Sequence, residues 1–162
     1  MKKKRKFKQA SLPYLENQQS ELQDHSAIRV FFDGSIDQNP GGCMGWGFHA
    51  SQHGKEICRQ SFHSGRGKTH TNNVAEYLGL IAALEWLYKN NLHKEKIIIT
   101  GDSTMVIRQM QKGAISPKSQ GHYASHARRA ILLSKSFEAI KFCWVRREYN
   151  QVADELSKYH RK

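Results

Sequence analysis

A helix that is apolar around most of its girth constrains this chain more than any other feature. Between Thr71 and Lys89, Val74, Leu78, Ile81, Leu84 and Leu87 recur at helical spacing, and Tyr77, Leu80 and Trp86 extend the apolar surface around the circumference. Such a helix has to be buried on more than one side. Thr71 or Asn72 caps its first turn. Before it come three short β-type runs. Ile28 to Asp33 is rich in β-branched and aromatic residues and ends at an Asp-Gly-Ser turn. Met44–Ser51 and Glu56–Ser64 follow, joined through His53-Gly54, and the segment from Ile36 to Gly42 holds the turn sequence Asn39-Pro40-Gly41-Gly42. Strands joined this closely form an antiparallel meander.

After the helix, Lys96 to Thr100 is a short apolar strand ending at Gly101-Asp102. The helix then acts as a crossover, which makes this fourth strand parallel to the first. Helices over Ser103–Lys112 and Gly121–Ser136, a fifth strand over Ala139–Val145 and a last helix over Asn150–Tyr159 complete the domain. The predicted fold is α/β: a five-stranded mixed sheet, antiparallel through its first three strands and parallel at the fourth and fifth, with helices on both faces.

The chain has 162 residues, enough for one domain with a real core. No apolar run reaches the roughly 20 residues needed to span a membrane. The basic start is not followed by an apolar stretch, so it is not read as a secretory signal, and a cytoplasmic location is expected. Cys43, Cys58 and Cys143 are widely spaced with no CxxC pair, which suggests neither a zinc knuckle nor a disulfide framework. Residues 1–26 read as a basic, flexible tail and residues 27–162 as the domain. Lys2, Lys3, Lys4, Arg5, Lys6 and Lys8 carry six of the net +12, so the rest of the chain is still +6. A basic protein of this size commonly meets a polyanion, and nucleic acid is the usual one. The lysine run also resembles a nuclear-import signal.

Four carboxylates occupy special places in this layout. Asp33 ends the first strand and Asp102 the fourth; if these are parallel neighbours, their carboxyl ends lie side by side. Glu76 falls in the opening turns of the long helix, and Asp154 in the first turns of the last one. Helix starts and strand ends meet at one edge of an open α/β sheet, where ligands usually bind. Four clustered carboxylates repel one another unless a cation neutralises them. A donor set of oxygens alone favours a hard ion, Mg²⁺ with Mn²⁺ as a substitute. Two such ions roughly 3.5–4 Å apart suit phosphodiester cleavage.

These segments resemble the type 1 ribonuclease H family from about Ile28 to Tyr159. Asp33-Gly34-Ser35 with Asn39-Pro40-Gly41-Gly42 resembles its first motif, and Thr69 to Glu76 (THTNNVAE) its second. Gly101-Asp102-Ser103 resembles the third, and Trp144 to Asp154 (WVRREYNQVAD) the fourth. One such motif is weak evidence; four in order are specific. The resemblance implies a ribonuclease H-like fold and an endonuclease that cuts the RNA strand of RNA–DNA hybrids with two metal ions, leaving 5′-phosphate and 3′-hydroxyl ends. It implies that Asp33 and Asp154 hold one ion, and Asp33, Glu76 and Asp102 the other. The backbone near Gly34 and Ser35, together with Asn39, Asn72 and Asn73, is implied to read RNA 2′-hydroxyls and minor-groove edges, and Thr71 to hold a DNA phosphate. Such roles suit groups that donate and accept hydrogen bonds, since the 2′-hydroxyl distinguishes RNA from DNA.

Two family features are missing. The loop from Arg146 to Gln151 lacks the histidine that many members carry, and Lys112 to Gly121 is too short for the basic insertion some members have. Other nucleases and integrases of the same fold, a non-catalytic hybrid-binding module and a reverse transcriptase domain are the competing readings. The Asn-rich approach to Glu76, the full set of acids and the long tail argue against each in turn, and a free-standing monomer is expected. His122 and His126, four apart, are read as a polar helix face. Trp46, Trp86 and Trp144 are read as core or near-core residues.

Overall fold

The computed structural model describes residues 24–158, so the predicted basic tail falls outside the described residues up to position 23. The elements are β1 (Ile28–Ile36), β2 (Cys43–Gln52), β3 (Lys55–Arg66), α1 (Asn72–Lys89), β4 (Lys96–Gly101), α2 (Thr104–Lys112), α3 (Ala124–Ser134), β5 (Ala139–Trp144) and α4 (Gln151–Ser157). A single 3-10 turn, Arg147–Tyr149, precedes α4. The sheet order is β3-β2-β1-β4-β5. β1 pairs antiparallel with β2 and parallel with β4; β2–β3 is antiparallel and β4–β5 parallel. The mixed sheet and the crossover are as the sequence predicts.

The long helix sits where its apolar girth demands. Ten of the eighteen residues of α1 are buried, because one side lies on β1 and β2 while another meets α3. Tyr77, Leu80, Leu84 and Leu87 pack with Val30, Phe32, Phe48, Ile97 and Ile99 from the sheet and with Ala127, Ala130 and Ile131 from α3. Each fully buried aliphatic side chain contributes about 1.5–3 kcal/mol of transfer free energy. Thr71 caps α1, its Oγ1 accepting from Val74 N at 3.2 Å, and Ser103 caps α2 in the same way. The β2–β3 turn is formed by His53 and Gly54, both at positive φ, the twist a two-residue hairpin needs.

Alternation along β1 puts helices on both faces. A Cβ on Gly34 would lie 2.1 Å from the Ala75 carbonyl carbon of α1. The next residue, Ser35, donates its hydroxyl to Ser157 O of α4 at 2.8 Å. The opposite face of β2 at Gly47 is closed by Leu156 of α4, whose Cβ would be 2.6 Å from an added methyl. Glycine at 34 and 47 therefore lets helix backbones approach the sheet closely.

The structure shifts several predicted limits. β1 runs on to Ile36, past the predicted end at Asp33, because Gly34, Ser35 and Ile36 continue the ladder opposite Trp46, Gly45 and Met44. α3 starts at Ala124 rather than Gly121, and its N-cap Tyr123 makes no side-chain cap bond. The chain is already tied down at Asp24, whose carboxylate pairs with Lys96 Nζ at 2.5 Å, while His25 O accepts from His53 N at 3.1 Å.

Candidate active site

The site forms where two parallel strands part. β1 and β4 pair from Ile28↔Ile97 to Phe31↔Thr100 and no further. Asp33 and Asp102 each stand two residues beyond that last pair, so their side chains flank the opening cleft. The chain after Asp102 is drawn towards β5 instead: Val145 N donates to Gly101 O, and Trp144 Nε1 to Asp102 O, both at 3.0 Å. α1 enters from the other side. The close approach at Gly34 places Glu76 over the cleft, where the Gly34 N–H hydrogen-bonds its carboxylate.

Asp33, Glu76 and Asp102 each offer an oxygen, and these atoms all lie within 4.8 Å of one another. Asp33 and Glu76 are buried and Asp102 half-buried. Burial pushes the Asp33 carboxyl up to about 7; the Ser157 hydroxyl opposes that rise, and the charges of Asp102 and Asp154 add to it. Glu76 is held well above its ordinary range by burial and by the charges of Asp33 and Asp102. Asp102 is raised too, by burial against the opposing pull of Arg147. Glu76 Oε2 is buried with no hydrogen-bond partner. Three acids that burial holds from ionising, one with an orphaned oxygen, form a donor set short of positive charge. That chemistry fits a hard divalent cation.

Asp154 stands beside this trio, close enough for its charge to raise Asp33. Its own oxygens are engaged: Arg147 Nη2 lies 2.9 Å from Oδ1 and Lys158 Nζ 2.7 Å from Oδ2. Burial alone would raise its pKa, but these two donors outweigh burial and leave it below the ordinary carboxylate value. Ser157 links the acids, its Oγ 2.8 Å from both Asp33 Oδ2 and the Asp154 carbonyl oxygen. The cleft, about 260 Å³, is lined by Asp33, Gly34, Ser35, Ile36, Asn72, Glu76, Asp102, Arg147 and Lys158.

The predicted substrate-contacting residues gather at one rim. Asn39 Oδ1 accepts from Asn72 N at 3.2 Å, and Gly41 N donates to His70 O at 2.9 Å, so the turn after β1 is stitched to the start of α1. Asn72, Asn73 and Thr71 are half-buried on that start. The Ser35 hydroxyl is spent on Ser157, and Ser35 lines the cleft.

Sequence reasoning passed over four residues. Ser157, Lys158 and Arg147 contact the acids directly, and Asn150, buried, donates Nδ2 to Phe32 O at 3.0 Å and so fixes the start of α4 against β1. Lys158 was legible in principle, since it follows Asp154 by four on a helix. Trp144 is a correction: it is 41% exposed beside the cleft, because the last residue of β5 has no helix over it on that face. His126 is half-buried, and burial and Arg129 lower its pKa. Among the described residues, the carboxylate trio is the one group of three or more His, Cys, Asp or Glu placed to hold a metal ion.

The family model described as "Reverse transcriptase-like" matches residues 32–160. The bifunctional protein Rv2228c of Mycobacterium tuberculosis is 32% identical over 129 residues, covering 77% of this chain and 33% of that protein. The chain thus spans about a third of the length of the curated relatives it matches. The N-terminal RNase H domain of Rv2228c, solved as a fusion with maltose binding protein, superposes with a TM-score of 0.71 at 29% identity, covering 83% of this chain and 92% of that one. LC11-RNase H1, solved in complex with an RNA/DNA hybrid, gives a TM-score of 0.70 at 27% identity, over 82% of this chain and 94% of its own. With the family model covering most of the chain and the four motifs in place, this protein belongs to the reverse transcriptase-like family and, within it, to the type 1 ribonucleases H.

Proposed function

We propose that the chain hydrolyses the RNA strand of RNA–DNA hybrids internally, leaving 5′-phosphate and 3′-hydroxyl ends. The observation that carries this reading is the carboxylate trio at the parting of β1 and β4, with its unpartnered Glu76 oxygen. Asp33, Glu76 and Asp102 would hold one divalent ion and Asp33 with Asp154 a second, Mg²⁺ or in its place Mn²⁺. When bound, such ions lower the pKa of a water and stabilise the leaving oxygen of an in-line displacement.

The rim supplies the selection for a hybrid. With its Oδ1 on Asn72 N, Asn39 keeps an amide NH₂ to donate to a sugar hydroxyl. Thr71 accepts from Val74 N, so its own hydroxyl proton remains for a phosphate oxygen. Asn72 and Asn73, on the first turn of α1, present groups that both donate and accept, as recognition of a 2′-hydroxyl requires. All four acids come from one chain, so a monomer contains the whole site. Cys43, Cys58 and Cys143 form no disulfide, and a cytoplasmic location is part of this reading. Among the described residues no helix is long and apolar enough to cross a membrane.

The test is to incubate a hybrid whose RNA strand is end-labelled with the protein and Mg²⁺, and to determine the product ends by mass spectrometry. Internal cuts ending in 5′-phosphate and 3′-hydroxyl, abolished by EDTA, are expected. Undiminished cutting in EDTA, or 3′-phosphate ends, would contradict the proposal.

A further inference from the structure

Asp154 differs from the other three acids in already having cations. Arg147 Nη2 and Lys158 Nζ lie on its two oxygens at 2.9 and 2.7 Å. The two partners are not equivalent. The Arg147 side chain is 70% exposed and projects from the 3-10 turn, where solvent and salt screen its bond. Lys158 is 34% exposed, and as the residue capping α4 its i,i+4 spacing brings it onto Asp154. Its position at the end of α4 also suits a positive charge. Both cations line the same cleft as Asp33, Glu76 and Asp102. Any ion shared by Asp33 and Asp154 must therefore displace an ammonium or a guanidinium, whereas among the described residues no ion pair occupies the oxygens of the trio.

We infer that Lys158 is a resident competitor for the metal position at Asp154, so that divalent ions bind in order, first at the trio and then, more weakly, at Asp154. The inference rests on the two-ion reading above. Lys158 acts through Asp154 and is a positioning residue. It keeps the fourth acid oriented, and it sets the ion concentration at which the second position fills.

The test is binding, with no hybrid present. Mn²⁺ is titrated into the full chain, and free Mn²⁺ is counted by electron paramagnetic resonance. The wild type is expected to show a tighter and a weaker position. Lys158→Met keeps the length of the side chain and removes its charge; the weaker position should tighten about two- to fivefold, the range a partly exposed ion pair supports. Lys158→Arg, which retains a cation, should behave as the wild type. In an Asp154→Asn background the same Lys158→Met change should alter nothing, which separates competition at Asp154 from a general loss of positive charge. Superimposable wild-type and Lys158→Met isotherms, or equal tightening in the Asp154→Asn background, overturn the inference and leave the two-ion reading intact. Failure of the wild type to bind any Mn²⁺ overturns both.

Discussion

Asp33→Asn should make the metal-free protein more stable while removing its activity. Asp33 is 4% exposed and its carboxyl is pushed from 3.8 to about 7, chiefly by burial. A rise of about 3 units at about 1.4 kcal/mol each is about 4 kcal/mol of strain in the ionised, metal-free site. Glu76 and Asp102 share that strain and relax when one charge goes, so the expected gain is about 1–3 kcal/mol. For a domain of this size that is a rise of about 3–8 °C in melting temperature at pH 8 in EDTA. The sign follows from linkage. With the folded pKa above the unfolded one, the contribution of protonated Asp33 is complete below pH 3.8 and lost as pH rises through about 7. Asparagine does not titrate, so the advantage of the variant should grow between about pH 4 and pH 7 and level off above that. Excess Mg²⁺ should cancel or reverse the difference, since an ion at 100 times its Kd adds about 2.7 kcal/mol to the wild type alone. Calorimetry at four pH values, with and without Mg²⁺, makes the measurement. A variant that melts below the wild type at pH 8 in EDTA, or a difference independent of pH, would refute the reasoning.

Three further outcomes follow from the packing and the charge. Gly34→Ala places a methyl 2.1 Å from the Ala75 carbonyl carbon, and urea denaturation should show a loss of about 1–3 kcal/mol or more together with weakened Mn²⁺ binding as α1 carries Glu76 away. Asn150→Ala leaves Phe32 O without its 3.0 Å donor, and the same assay should show a loss of about 1–3 kcal/mol; an unchanged midpoint would mean that α4 is not held there. Removing residues 1–9, which carry six lysines and arginines, should flatten the salt dependence of hybrid binding by about one to three units of log affinity per log salt. Coincident slopes for full-length and shortened protein would remove that role.

The sheet and the crossover were legible because hydrophobic period and turn residues agree over long segments. His53-Gly54 adopts the double positive φ that its hairpin requires, and α1 has the burial its sequence demands. Where reading failed, long-range pairing overrode local chemistry. Asp33-Gly34-Ser35 reads as a turn, yet β2 offers Gly45 to Gly47 opposite, and the ladder continues through it. The absence of a side chain at Gly34 serves helix approach rather than a bend. Three acids of the site could be placed from strand ends and a helix start alone. Of the partners of Asp154, Lys158 was legible from its i,i+4 spacing, but Arg147 was not, since it lies on a turn whose 3-10 geometry has no periodic signature. Trp144 looked like core by composition, but the edge position of β5 leaves it facing solvent beside Asp102.

The most direct measurement compares three labelled duplexes of one sequence, RNA–DNA, RNA–RNA and DNA–DNA, incubated with the protein in Mg²⁺. Selective internal cutting of the RNA in the hybrid, lost in EDTA and in Asp33→Asn, is the predicted result. Equal cutting of all three duplexes, or full cutting by Asp33→Asn, would contradict the account.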